Sequence, residues 1–579
     1  MILNKKVLIQ PLFWFTIIIS CYIFFVRLST DKFTDTIRSD GRGYYAYLPA
    51  LFLYNDGSYS KSVEVEKSYF PHGFDQYYLF KNEKGKVYNK YFPGVSILQL
   101  PFFLLACLSS WILNFPIDGY SFLFNFFFFL GSLIYTIAGL VLFKKCLKTM
   151  FPSVLHLDWF VIIFYISTPL LFYSLYTPSF SHLFSFFLFG LFTFQILKLK
   201  LEFKLSRILF LGLILGLIFL VRPTNCLIVF VVPFLISDKQ RFIEILKKTI
   251  ELKNLILFFI SFLVVLSILF FYWRWQSGDW IVWSYTGEGF NFLSPQILKC
   301  LFSFRGGLFI HIPLMIIAFI GIFIFYNKNR FGTITWMLYF FINCWLISSW
   351  WCWDYESSFS NRAYTEHMFF LVIPVLNLYE KYKKITLIIL ILLGLIGIIR
   401  YFERVTNFMG DQHFTSQNYF SSLQFWNNHN KARWNYTRSC IPFGKRISNK
   451  TLLEDSQIHT INENDDFYFT VSDILQKPRT SERYYYRVEL EKQTEEKYFE
   501  GVMLVIDASN GDFSKRYYKP VDLFNDRYEG KDKWVKLAFE GQILDNFQEY
   551  DQVKIYIWNQ GRKRFKIRNC KIVLEEYKS

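Results

Sequence analysis

The chain has 579 residues, 53% of them hydrophobic and 21% aromatic, and a formal net charge of +17. So apolar a composition excludes an ordinary soluble protein. The basic residues fall in short clusters between apolar runs, so membrane topology explains the charge better than nucleic acid does.

In chain order, Lys5 and Lys6 precede a first apolar run at 8 to 27, which no small-residue cleavage pattern follows, so it reads as a retained helix. The positive-inside bias makes the N-terminus cytoplasmic and the next loop external. That loop opens with S-D-G-R-G-Y-Y-A-Y-L-P-A-L over residues 39 to 51. A carboxylate at Asp40, beside Arg42 and the ring of Tyr44 at a membrane surface, suits binding a sugar and activating a hydroxyl. The same Asp-Gly pair is also an ordinary solvated turn. Residues 52 to 92 are polar and Tyr-rich, lead into Lys90-Tyr91-Phe-Pro-Gly94, and give way to an apolar stretch at 95 to 113.

Whether 95 to 113 crosses decides the sidedness of all that follows. If it lies in the outer interface or re-enters, the five basic groups after it, beginning with Lys144, Lys145 and Lys148 and ending with Lys381, Lys383 and Lys384, all fall inside. Pro93 and Pro101 suit that interfacial or broken helix. The crossings are then about 8 to 27, 120 to 143, 158 to 176, 182 to 197, 207 to 221, 225 to 237, 254 to 273, 307 to 326, 331 to 350, 364 to 379 and 385 to 401. These eleven put the C-terminus outside, although one long helix through 207 to 237 would reverse the later topology. On this parity His182, Arg222, Arg305, the run W-W-C-W-D-Y-E and Arg362 gather on the external side. Arginines there are placed either to snorkel to water or to hold a lipid phosphate.

Residues 402 to 439 read as a linker. From 440 to 579 short alternating runs, at 467 to 471, 484 to 490, 501 to 506, 535 to 539, 553 to 558 and 565 to 574, predict a β-sandwich outside the membrane. The nine cysteines include no C-x-x-C pair and indicate no zinc site; Cys440 and Cys570 are a candidate disulfide in the last domain.

With these pieces assembled, residues 1 to 401 resemble the GT-C superfamily of polyprenyl-phosphate-sugar-dependent glycosyltransferases, which includes protein O-mannosyltransferases and aminoarabinose transferases. Asp40 with Tyr44 resembles the family's acidic residue and following tyrosine in the first external loop, here residues 28 to 119. Lys90-Tyr-Phe-Pro-Gly94 resembles the element opening the interfacial helix, and Gly212 to Asn225 a G-x-x-x-G-x-x-x-x-x-R-P-T-N helix end. Ser303 to Phe309 and Ser358 to Arg362 resemble two further external landmarks. Gly41 stands where the family often has Glu, leaving Asp35 or Asp354 as the only stand-ins for a second acidic role. The resemblance implies a polytopic α-helical membrane protein of the bacterial inner membrane, with about eleven transmembrane helices. By architecture alone, the C-terminal all-β sandwich is jelly-roll-like.

The activity implied is transfer of a sugar from a polyprenyl-phosphate donor to a glycan, lipid or protein acceptor, with inversion and with Asp40 as general base. Arg42, Lys90, Arg222, Arg305 and Arg362 are the candidates for holding the donor phosphate. Tyr44, Tyr91 and His182 are candidates for hydrogen bonds to sugar or phosphate. No Asp-x-Asp occurs to grip a metal-diphosphate, so no metal cofactor is expected. The rival class is a lipid or glycan transporter or flippase, which calls for charges near the midplane or inverted repeats.

Overall fold

The computed structural model describes residues 11–29, 36–69, 78–82, 84–285, 288–355, 359–405, 419, 445–474, 483–494, 501–511, 516–523, 534–543 and 550–578. It divides into two compact units, Met1–Tyr401 and Phe402–Ser579. Cys440, Asp35 and nearly all of the expected linker lie outside the described residues; Cys570 is buried in the second unit.

The first unit is helical. Its principal helices are α1 (Pro11–Ser29), α2 (Asp40–Tyr45), α3 (Gly94–Leu113), α4 (Phe122–Met150), α5 (His182–Leu201), α6 (Leu205–Val221), α7 (Lys239–Thr249), α8 (Leu252–Ser277), α9 (Arg330–Ser349) and α10 (Lys383–Val405). Six of them, α3, α4, α5, α8, α9 and α10, are long and apolar enough to cross a membrane, and five shorter apolar helices accompany them among the described residues. Where glycines line a helix, helices approach closely. A Cβ on Gly212 of α6 would stand 2.1 Å from Ser261 Oγ of α8, and one on Gly216 2.8 Å from Val265 Cβ, so the G-x-x-x-G pair is the surface on which α6 and α8 meet.

Several expected crossings are not single helices, and prolines explain where they break. Residues 158 to 176 divide into Leu157–Ile166 and Leu170–Leu175 before Pro169, and 307 to 326 into Leu308–His311 and Leu314–Tyr326 before Pro313. The span expected at 364 to 379 consists of a 3₁₀ turn at Arg362–Tyr364, a short helix at Met368–Leu371, and Val375–Lys381 after Pro374. Residues 363 to 378 are buried throughout, so protein covers the broken backbone. By contrast, α3 runs unbroken through Pro101 for 20 residues.

The second unit holds two antiparallel sheets. One has the order β3 (Lys445–Asp455), β11 (Phe565–Lys578), β6 (Arg483–Gln493), β9 (Val535–Ile543), with β4 (His459–Ile461) also on β11. The other has the order β5 (Phe467–Ile474), β10 (Gln552–Asn559), β7 (Val502–Ser509), β8 (Arg516–Asp522). Burial alternates along β10, and one core draws Val488 and Leu490 from the first sheet and Leu504, Ile506, Ile555 and Ile557 from the second. Strands β3, β4 and β8 were not anticipated. β3 and β8 are edge strands rich in Lys and Arg, β8 with Pro520, so the hydrophobic alternation that marks a covered strand is weak in them. A hairpin of β1 (Leu79–Lys81) and β2 (Val87–Asn89) lies in the first unit.

Candidate active site

Asp40 is the first residue of α2, entered through Ser39 in the left-handed region at φ 49°. The D-G-R-G sequence follows from how closely this turn is packed. A Cβ on Gly41 would fall 2.1 Å from Ser179 Oγ, and one on Gly43 2.3 Å from the Tyr91 ring. A glutamate at position 41 has no room here. Asn89 of β2 fixes the same corner, donating to Gly43 O (2.8 Å) and accepting from Tyr91 N (3.0 Å).

Both oxygens of Asp40 are engaged. Tyr91 OH donates to Oδ1 at 2.9 Å, and Arg362 Nη2 lies 3.1 Å from Oδ2. Arg362 lies over the rings of Phe180 and Tyr355, at 5.1 and 5.5 Å, and Tyr355 also faces Arg222 at 5.6 Å. Tyr355 thus has two guanidinium groups near its ring, and its backbone is at φ 55°, uncommon for a non-glycine residue. Tyr44 packs against Tyr91, ring centroids 4.6 Å apart. Burial, with a smaller contribution from the Asp40 carboxylate, pushes the Tyr44 hydroxyl up to about 12, so at neutral pH it is a hydrogen-bond donor.

A second carboxylate lies behind Arg222. Glu366 is fully buried, 2.7 Å from His182 Nδ1; Asn225 Nδ2 donates to it at 2.8 Å, and Arg222 Nη1 is 3.7 Å away. With His182 Nδ1–H donating to Glu366, the 3.4 Å approach of Arg222 to the same nitrogen is contact rather than a hydrogen bond. The R-P-T-N sequence ends α6 so that its arginine and asparagine both reach this carboxylate. His367 turns the other way, to Tyr339 OH at 2.6 Å.

The remaining expected residues are placed differently. Lys90 pairs with Glu288 and lies 5.2 Å from the Tyr285 ring, while Tyr285 meets Tyr91 edge-on. Arg42 turns to the buried Glu66, 3.4 Å away, to which Tyr78 OH also donates. Arg305 pairs with the buried Asp354 on the connection that carries Arg362. Asp40, Tyr44, Tyr91, Arg362, Arg222 and His182 therefore form one linked group, and Arg42 and Arg305 are held by carboxylates of their own. Among the described residues no three His, Cys, Asp or Glu side chains converge as metal ligands.

No family model and no curated protein matches this chain. The site therefore rests on its own geometry. Sequence reasoning missed Glu366, Glu66, Glu288 and Tyr355. For Glu366 a signal was present: a lone Glu-His pair within an apolar run needs partners, and R-P-T-N supplies two of them.

Proposed function

We propose that this chain is a membrane glycosyltransferase of GT-C type, moving a sugar from a polyprenyl-phosphate donor to an acceptor hydroxyl or amine on the extracytoplasmic side. The observation that carries the reading is the arrangement at Asp40: one partly exposed carboxylate, two arginines sharing the Tyr355 ring, and the Tyr44 and Tyr91 side chains packed together beside it.

In this reading the acceptor O–H donates to Asp40, and its oxygen attacks the anomeric carbon as the proton passes to the carboxylate. The bond from that carbon to the phosphate oxygen breaks, and the polyprenyl phosphate leaves with the electron pair, so one displacement inverts the centre. Each carboxylate oxygen carries two lone pairs, so Tyr91 and Arg362 leave sites free to accept the hydroxyl proton. Charge grows on the departing phosphate, and Arg362 and Arg222, only part-exposed at 21% and 20%, act on it in surroundings of lowered dielectric. Glu366 and Asn225 then serve to fix Arg222 rather than to react.

The finer architecture belongs to the same reading: a multi-pass bacterial inner-membrane protein with about eleven crossings, N-terminus cytoplasmic, and the two C-terminal sheets as an extracytoplasmic jelly-roll-like sandwich. The rival, a lipid or glycan transporter, draws support from the buried Glu366 and His182 pair, since such pairs occur in proton relays.

The test is sugar transfer or slow hydrolysis from a panel of polyprenyl-phosphate sugars by the purified, reconstituted protein, beside a folded Asp40→Asn variant. Turnover that falls about a hundredfold or more in the variant is expected for loss of a general base. Protein-dependent movement of the lipid across the bilayer, with no turnover on any donor, would overturn the transferase reading in favour of the transporter.

A further inference from the structure

At the end of α5 away from His182, α4 and α5 finish side by side. They run parallel: a Cβ on Gly139 of α4 would meet Phe186 of α5, and one on Gly190 of α5 would meet Leu142 of α4. Between their last turns is a groove of about 350 Å³, lined by Lys145, Lys148 and Thr149 from α4 and by Phe194, Leu197, Lys198 and Leu201 from α5. Its chemistry is divided. Leu197, Leu201 and the Phe194 ring, with Lys198 Nζ 5.4 Å above it, make an apolar wall under three exposed ammonium groups.

The carboxylates nearest in sequence are already occupied. Asp158 holds Lys144 at 2.7 Å, and Glu202 is shared by Lys204 at 3.0 Å and Arg207 at 3.5 Å. Lys145, Lys148 and Lys198 make no ion pair among the described residues. Complementing the two helix ends does not use up their charge: each C-terminus contributes only about half a negative charge, against three full positive ones.

The groove also lies where a membrane surface is expected. Lys198 is sixteen residues beyond His182, the first residue of α5, or about 24 Å along the helix, close to the ~30 Å of a bilayer core. Next to it α7, K-Q-R-F-I-E-I-L-K-K-T, is a basic amphipathic helix whose Ile243 and Leu246 stay exposed, and its Arg241 Nε donates to Lys200 O at 3.0 Å. A helix of that kind lies in the plane of a bilayer surface.

We infer that this groove is a binding site for one anionic phospholipid, its phosphate held by Lys145, Lys148 and Lys198 and its upper acyl chain laid on Phe194, Leu197 and Leu201, at the membrane face opposite Asp40. A basic pocket between helix ends matches such a headgroup in charge, and the apolar wall selects a lipid over a bare anion.

The experiment is native mass spectrometry of the full chain in detergent, titrated with phosphatidylglycerol and, separately, phosphatidylcholine. The triple variant Lys145→Gln, Lys148→Gln, Lys198→Gln is compared with a control triple, Lys381→Gln, Lys383→Gln, Lys384→Gln, which removes equal charge from exposed positions elsewhere. Melting temperature verifies that each is folded. The native chain and the control should retain one phosphatidylglycerol in preference to phosphatidylcholine. The groove variant should bind it at least tenfold more weakly, and on the order of a hundredfold at roughly fivefold per lysine. Equal weakening in both variants, or equal retention of the two lipids by the native chain, would overturn the site. Displacement of the lipid by millimolar inorganic phosphate would overturn its assignment to a lipid.

Discussion

At the scale of single residues, the same kind of side chain has been given opposite settings. Asp40 is part-exposed with two donors on it, whereas Glu66, twenty-six positions on, is buried against Arg42 and Tyr78. Burial dominates at Glu66 and raises its carboxyl from 4.5 to about 7, against the pull of Arg42. The sign of the consequence follows from proton counting. Between about pH 4.5 and 7 the folded chain holds a proton that the unfolded chain has released, so stability is full below 4.5 and falls as pH rises through 7. The loss is on the order of 3 kcal/mol. The unfolding midpoint of the reconstituted protein should therefore decline over this window more steeply than that of Glu66→Gln, which cannot titrate. Parallel pH profiles for the two proteins would show that Glu66 stays ionised beside Arg42. The arginines and Asp40 could be chosen from sequence, but not their pairing. Arg42 lies two residues from Asp40 and yet serves Glu66, while Arg362, more than three hundred residues away, serves Asp40.

Among the elements, legibility tracks how local the cause is. Helices α4, α8, α9 and α10 were readable because each is a long apolar run, and β10 because it alternates. The breaks at Pro169, Pro313 and Pro374 carried their own signal, but a hydropathy window averages over it. Glu366 was hidden for the same reason: one charge in a long apolar stretch barely moves the average, although its burial demands His182, Arg222 and Asn225. The G-x-x-x-G of α6 was noticed only as part of a resemblance, and the structure gives it a partner. Since a Cβ on Gly212 would lie 2.1 Å from Ser261 Oγ and 2.5 Å from Phe258 O, Gly212→Ala forces α6 and α8 apart. The expected cost is about 1–3 kcal/mol in unfolding free energy, read as a lowered melting midpoint. Adding Ser261→Gly should recover part of it, because the backbone contact with Phe258 remains. No recovery in the double variant would mean that the hydroxyl is not the obstacle.

For the whole molecule, sidedness turns on α3, and its packing bears on whether it crosses. Tyr135 of α4 donates to Leu98 O, Gln99 Nε2 to Phe128 O, and the Phe103 ring meets Phe124, so α3 runs antiparallel along only the first half of α4. The second half of α4 lies instead beside α5, which begins at His182 in the site. Tyr135 already touches Phe184 and Phe187, the third and sixth residues of α5. Helix α3 therefore sits level with the protruding start of α4, on the site's side of the span that α4 and α5 share. The link from α3 to α4 returns to the same corner, where Gly119 O accepts from Tyr45 OH at 2.5 Å. Leu104, Leu108, Trp111 and Ile112 are exposed along α3, an apolar face for lipid whether the helix lies in the interface or crosses. In a cysteine-free chain, Ser58→Cys and Asn114→Cys should both react with a membrane-impermeant maleimide from the outside of intact cells, and Lys148→Cys only after permeabilisation. Labelling of position 114 from the opposite side to position 58 would make α3 a crossing. The basic clusters after it would then lie outside, and the reading that places Asp40 and the second unit on a common side would fail.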